Sequence, residues 1–103
     1  MTGTELRDLI RHKWGYSYDV QLRHTQGKLW LQIMWRYQEQ VSFPMTEVEF
    51  CQHLDGITTY LRDWGVSEQV LQFVTQTKQK PRLGKAINVP LQVGDRAREW
   101  ILE

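Results

Sequence analysis

The sequence predicts an α+β fold: a small, largely antiparallel sheet, made of an N-terminal hairpin plus one C-terminal strand, packed with about four helices. Three observations predict it. Two runs of alternating apolar and polar residues flank a short loop ending in Gly27, stretches with helical spacing precede and follow them, and one more alternating run comes late in the chain. With 103 residues, 41% of them hydrophobic, and a net charge of +1, one core is within reach and a second is not. Residues 1–103 are therefore expected to form a single domain, and the apolar content argues against disorder.

The elements follow in order. Thr4 is placed to cap a first helix whose Leu6, Leu9, Ile10 and Trp14 keep helical spacing, and Gly15 offers the left-handed stop. From Tyr16 the period falls to two: Tyr16, Tyr18, Val20 and Leu22 alternate with Ser17, Asp19, Gln21 and Arg23. After a turn over residues 24–27, Leu29, Leu31, Ile33, Trp35 and Tyr37 share one face and Lys28, Trp30, Gln32, Met34 and Arg36 the other. One register sets Leu22 opposite Leu29 and Tyr16 opposite Trp35, keeping a wholly apolar face on the core. A second, with a three-residue loop and Gly27 as a bulge, sets Leu22 opposite Trp30.

Thr46-Glu47-Val48-Glu49 is a capping box, and the helix it opens carries Phe50, Leu54, Ile57, Tyr60, Leu61 and Trp64 as an apolar stripe ending at Gly65. Ser67 is placed to cap a third helix, with Val70, Phe73 and Val74 inward, running to about residue 77. Ile87, Val89, Leu91 and Val93 alternate as a strand, which Pro90 either confines to a sheet edge or breaks. Asp95 then caps a short helix bearing Ala97, Trp100 and Ile101.

Charge is uneven along the chain. Residues 1–37 sum to +3, residues 38–68 to −5 and residues 69–103 to +3. The single cysteine, Cys51, cannot form an internal disulfide. The opening residues lack the basic and apolar regions of an export leader, and no apolar stretch approaches the roughly 18 residues of a membrane helix. The expectation is a soluble, cytoplasmic protein without membrane insertion.

The search for chemistry returns no catalytic constellation. Cys51 and His53 are two residues apart on a helix and diverge by about 200°, whereas a helical metal pair needs a spacing of three or four. His53, at the edge of the apolar stripe, reads as a packed or hydrogen-bonded histidine. Ser17, Ser42 and Ser67 fit a strand, a loop and a cap, and none sits in a nucleophile elbow. Gly84-Lys85-Ala86 lacks both the earlier glycine and the hydroxyl of a phosphate-binding loop. Asp55, Thr59 and Asp63 follow one side of the long helix and read as a solvated face. No cofactor, metal or catalytic residue is expected, and the chain is not read as an enzyme.

Binding is the stronger class. Trp30 and Met34, with Lys28 and Arg36 on the same face of the hairpin, combine large apolar side chains with positive charge, as interface hot spots do. The competing reading is that helices cover this face and Trp30 is core. Lys78, Lys80, Arg82 and Lys85, interrupted by Pro81 and Gly84, form a basic loop suited to phosphates or an acidic partner, or simply a soluble connector. The candidate partner-binding residues are thus Trp30, Met34, Arg36, Lys80, Arg82 and Lys85, and the partner is an unidentified protein. A single-stranded nucleic-acid-binding module is the alternative, because aromatics on a sheet among lysines and arginines stack and neutralise such strands. The acidic middle of the chain weighs against it. A small-ligand-binding protein or enzyme is the third reading.

The runs Trp14-Gly15-Tyr16-Ser17-Tyr18-Asp19, Lys28-Leu29-Trp30-Leu31-Gln32-Ile33-Met34-Trp35-Arg36-Tyr37, Tyr60-Leu61-Arg62-Asp63-Trp64-Gly65-Val66 and Pro81-Arg82-Leu83-Gly84-Lys85-Ala86 resemble the family known as domain of unknown function 3067. The resemblance spans nearly the whole chain. It implies a cyanobacterial cytoplasmic or plastid-related protein, with plastid relatives in photosynthetic eukaryotes, and so links the small interaction or assembly factor read from the residues to photosynthetic or plastid-type processes. It implies no catalytic residue.

Overall fold

A computed structural model describes residues 1–93. The element order is α1 (Gly3–Trp14), β1 (Tyr18–Thr25), β2 (Lys28–Tyr37), α2 (Glu47–Asp63), α3 (Ser67–Gln76) and β3 (Ile87–Leu91). The strands form an antiparallel sheet in the order β1-β2-β3. The α+β architecture, the hairpin and the late third strand are as the sequence predicts. The expected helix at Asp95, Ala97, Trp100 and Ile101 lies outside the described residues.

Each helix start shows what the local sequence does. α1 is capped by Thr2 rather than Thr4: the Glu5 N–H donates to Thr2 Oγ1 at 3.1 Å and the Thr2 N–H donates to Glu5 Oε1 at 3.0 Å. Two threonines stand a turn apart from different acidic residues, and it is the Thr2–Glu5 spacing that makes the reciprocal pair. Thr46 and Glu49 form the same box on α2, as expected. α3 begins without a side-chain cap, because Ser67 is its first helical residue and Val66 occupies the cap position. Gly15 closes α1 at φ 89°.

Gly3 lets α1 approach α2. Its N–H donates to Asp55 Oδ1 at 2.8 Å, and its Cα faces the α2 backbone at Leu54 and Asp55 with no room for a methyl group. Asp55 is therefore tied to the neighbouring helix and is more than part of a solvated face.

One face of the sheet meets the helices. Val20, Leu29, Leu31, Ile33, Ile87, Val89 and Leu91 are buried in a cluster with Leu6 and Ile10 of α1, Phe50, Leu54, Ile57 and Leu61 of α2, and Val70 and Val74 of α3. These sheet positions share one side of the pleat. The opposite side, with Arg23, Thr25, Lys28, Asn88 and Pro90 exposed, faces no described helix. Tyr60 departs from the expected stripe: it is exposed and lies against Trp64 with ring centroids 5.3 Å apart.

The hairpin register differs from both expectations. Gln26 (φ 52°) and Gly27 (φ 74°) form a two-residue turn with both central residues left-handed, which sets Thr25 opposite Lys28 and Leu22 opposite Leu31. The shift from the first register is two residues, so the core face survives. An irregularity between Tyr18 and Val20 then breaks the alternation, pairing Val20 with Ile33 but Tyr18 with Tyr37. Two expectations fail for that reason. Trp35 is half-buried and stands outside the core cluster, and Tyr16 precedes β1 and is exposed.

Candidate functional site

Pairing fixes what the outer face presents. A two-residue hairpin closes on a hydrogen-bonded pair, so Lys28, Trp30 and Gln32 bond toward β1 while Leu29, Leu31 and Ile33 bond toward β3. Pro90, opposite Trp30, therefore owes β2 no amide hydrogen, which is why a proline is tolerated in this edge strand. By the same alternation Val20 turns its backbone groups away from β2. Its N–H donates to Asp19 Oδ1 at 2.8 Å, and its carbonyl oxygen accepts from His53 Nε2 at 2.6 Å. A carbonyl can only accept, so Nε2 carries the proton.

Trp30 is half-buried on the outer face, between Arg23 on β1 and Pro90 on β3. Two grooves share Trp30 in their lining. One, of about 240 Å³, is lined by Arg23, Thr25, Gln32 and Asn88; the other, of about 230 Å³, by Lys28, Pro90 and Gln92 among others. The indole Nε1 is buried and has no hydrogen-bond partner among the described residues.

The expected patch is not continuous. Between Trp30 and Met34 an amide row crosses the sheet: Gln21 Nε2 donates to Gln32 Oε1 at 2.9 Å, and Gln32 Nε2 donates to Asn88 Oδ1 at 2.8 Å. Met34, half-buried, is drawn into this row through a contact of 3.4 Å from Gln21 Nε2 to its sulfur. Arg36 is exposed and lies 3.8 Å from Asp19 Oδ2, whose other oxygen is 3.3 Å from His53 Nε2. Asp19 is the residue that sequence reasoning missed. It was placed among the outward polar positions, yet it is buried, and an aspartate inside a strand run was the available signal.

Lys80, Arg82 and Lys85 come together elsewhere. They line a groove of about 220 Å³ with Gln79, Ala86 and Ile87, and share none of the grooves at Trp30. The Lys85 N–H donates to the Arg82 carbonyl at 2.8 Å and the Arg82 N–H to the Lys85 carbonyl at 3.2 Å, closing a tight turn with Gly84 at φ 77°. The segment is moored to α1 by Trp14, whose Nε1 donates to the Gln79 carbonyl at 3.0 Å, while Lys13 Nζ donates to the Thr75 carbonyl of α3 at 3.1 Å. The six candidate residues thus occupy two surfaces, with Met34 and Arg36 toward the end of β2 nearer the turn.

Other chemistry-bearing groups are engaged in structure. Ser17 is fully buried, and both its N–H and its hydroxyl donate to the Glu39 carboxylate at 2.8 Å. Burial pushes Glu39 upward, but the Ser17 bonds and the Arg11 charge outweigh it and hold the carboxyl below its usual value. Burial, then the phenols of Tyr37 and Tyr16, raises Tyr18. Cys51 Sγ accepts from Arg7 Nη1 at 3.4 Å, while His53 turns to Val20 and Asp19, so the two residues serve different neighbours. Among the described residues no group of three or more His, Cys, Asp or Glu is placed to hold a metal ion, and no helix is long and apolar enough to cross a membrane.

Over residues 4–101 the chain matches the model of the family described as Domain of unknown function (DUF3067). No curated protein matches it. It is similar to the solution NMR structure of the Alr2454 protein from the cyanobacterium Nostoc sp. strain PCC 7120, with 60% sequence identity and a TM-score of 0.89, over 98% of this chain and 97% of that one. With the family match running from the first helix past the third strand, the chain belongs to the DUF3067 family.

Proposed function

We infer that this chain is a small interaction module, an assembly-factor-type domain that performs no chemistry of its own and recognises a protein partner through the outer face of its sheet. The observation that carries this reading is Trp30. A large aromatic side chain stands on a helix-free face of the described fold, beside Arg23 and between two grooves. Tryptophan and arginine are among the residue types that dominate interface energetics. The amide row of Gln21, Gln32 and Asn88 gives the same face directional donors and acceptors. Met34 and Arg36 extend the contact toward one end of β2, while Lys80, Arg82 and Lys85 form a separate, electrostatic surface apart from that face. The family resemblance and the cyanobacterial neighbour support a cytoplasmic or plastid-side role connected with photosynthetic housekeeping.

The protein reading is favoured over single-stranded nucleic acid because, among the described residues, the outer face offers one aromatic side chain amid amides, where a stacking platform needs several. The test compares capture from a cyanobacterial extract by the wild type, by Trp30→Ala, by Arg82→Ala and by the double variant, with the thermal midpoint of each measured in parallel. Loss of capture in Trp30→Ala at a retained midpoint is the expected result. Capture by Trp30→Ala equal to that of the wild type overturns the assignment, and capture that disappears on nuclease treatment shifts it to nucleic acid.

A further inference from the structure

We propose that the turn over residues 82–85 is a docking tip for an anionic lipid surface: Leu83 enters the headgroup layer, and Lys78, Lys80, Arg82 and Lys85 hold the lipid phosphates. Residues 69–94 carry these four cations and not one carboxylate. None of the four is in an ion pair among the described residues, so none has a carboxylate to satisfy its charge there. At the apex Leu83 is 91% exposed. The next residue, Gly84, has the positive φ that the third position of this tight turn demands, so the leucine is held outward by a reciprocally bonded frame.

The rest of the segment is built to keep that tip in place. Pro81 is buried, and the bond from Trp14 to Gln79 holds the approach to the turn against the end of α1, to which Lys13 also ties the end of α3 at Thr75. The ordering entropy of the loop is thus already met in the free protein. Beside the tip, the groove lined by Lys80, Arg82 and Lys85 has the size and charge for a headgroup phosphate.

A lipid surface suits this composition better than a protein surface does. Leucine is under-represented among interface hot spots and lysine is depleted from interface cores, yet three of the four cations are lysines. Lysine is a mobile point charge, effective against a diffuse layer of phosphates and poorly adapted to a shaped carboxylate site. An exposed apolar side chain flanked by such charges is an arrangement that seats a protein on an anionic bilayer without crossing it. That agrees with described helices too short or too polar to span a membrane. The surface is separate from the grooves at Trp30, so a protein partner on the outer face and a membrane at the turn are compatible.

The experiment is co-sedimentation of the full chain with phosphatidylcholine vesicles and with phosphatidylcholine vesicles containing phosphatidylglycerol, at low and high salt. Binding is expected only with phosphatidylglycerol and is expected to weaken with salt. Each of Lys80→Gln, Arg82→Gln and Lys85→Gln should lower partitioning roughly five-fold. Leu83→Ser, which leaves every charge and the fold intact, should lower it roughly ten-fold. Trp30→Ala should bind vesicles as the wild type does, so loss of partner capture with vesicle binding retained separates the outer-face reading from this one. No binding to the anionic vesicles overturns the proposal. So does unchanged binding by Leu83→Ser, which would show mere electrostatic adsorption, or complete displacement by inorganic phosphate, which would show a small-anion site.

Discussion

Replacing Gly3 by alanine tests how closely α1 is held against α2. A methyl group built at Gly3 stands 2.5 Å from Asp55 Oδ1, 2.6 Å from Asp55 N and 2.9 Å from the Leu54 carbonyl carbon. Ordinary carbon contacts settle at about 3.5–4.0 Å, so α1 must retreat by about 1 Å. Two of the three atoms are backbone of a continuous helix and cannot swing aside. Overpacking of this kind costs about 1–3 kcal/mol. Retreat also stretches the 2.8 Å bond from the Gly3 N–H to Asp55, a hydrogen bond to a charged group worth about 1.5–3 kcal/mol. Alanine's better helix propensity returns at most about 1 kcal/mol. The expected balance is a loss of about 2–4 kcal/mol, or a thermal midpoint lower by roughly 10–20 °C in a domain of this size. Gly56→Ala is the matched control. It lies inside α2 with nothing within 4 Å of the new methyl group, and should gain about 0.5–1 kcal/mol. Thermal unfolding followed by far-UV circular dichroism reads both variants. A Gly3→Ala midpoint at or above the wild type refutes the close approach of the two helices.

Further outcomes follow from the same contacts. Glu39 is ionised more easily in the folded chain than in the unfolded one, so its contribution is complete above the unfolded value near 4.5 and is lost as pH falls through the lowered folded value. Glu39→Gln should therefore flatten the decline in stability below about pH 4.5, and an acid limb identical to the wild type's would contradict the Ser17 clasp. Thr46→Ala removes the oxygen that accepts the Glu49 N–H and should cost about 1 kcal/mol, seen as a midpoint several degrees lower. His53→Ala leaves the Val20 carbonyl and Asp19 without their α2 partner. It should cost about 1–2 kcal/mol and speed amide hydrogen exchange along β1, whereas unchanged exchange at Val20 would show that α2 does not close this sheet edge.

Much of the fold was legible because it rests on local rules. The capping box at Thr46 and the glycine stop at Gly15 each need only a few neighbouring residues to be recognised, whereas Pro90 leaves an edge strand or a break open until pairing with β2 decides for the edge strand. The parity of the hairpin survived a wrong register for a physical reason: a slip of two residues leaves every side chain on the same side of the pleat. The register itself depends on Gln26 adopting a positive φ, which a glutamine does not advertise as asparagine or glycine would. Trp35 and Tyr16 were misplaced because alternation was extended through an irregularity that only pairing with β1 reveals. Of the candidate site, the place of Trp30 on the outer face was legible from the alternation. The division of its face by Gln32, the burial of Asp19 against His53, and the separation of Lys80, Arg82 and Lys85 into another groove are tertiary facts, set by strands and helices far apart in sequence.

The central claim, that the outer face of the sheet at Trp30 is the recognition surface, is tested most directly by chemical-shift mapping of the ¹⁵N-labelled chain titrated with its captured partner. Shifts concentrated at the amides of Arg23, Trp30, Gln32 and Asn88, with those of Phe50 and Leu54 unmoved, are the predicted result. Shifts confined to the exposed side of α2, at Val48 and Tyr60, with the Trp30 indole signal unchanged, would contradict it.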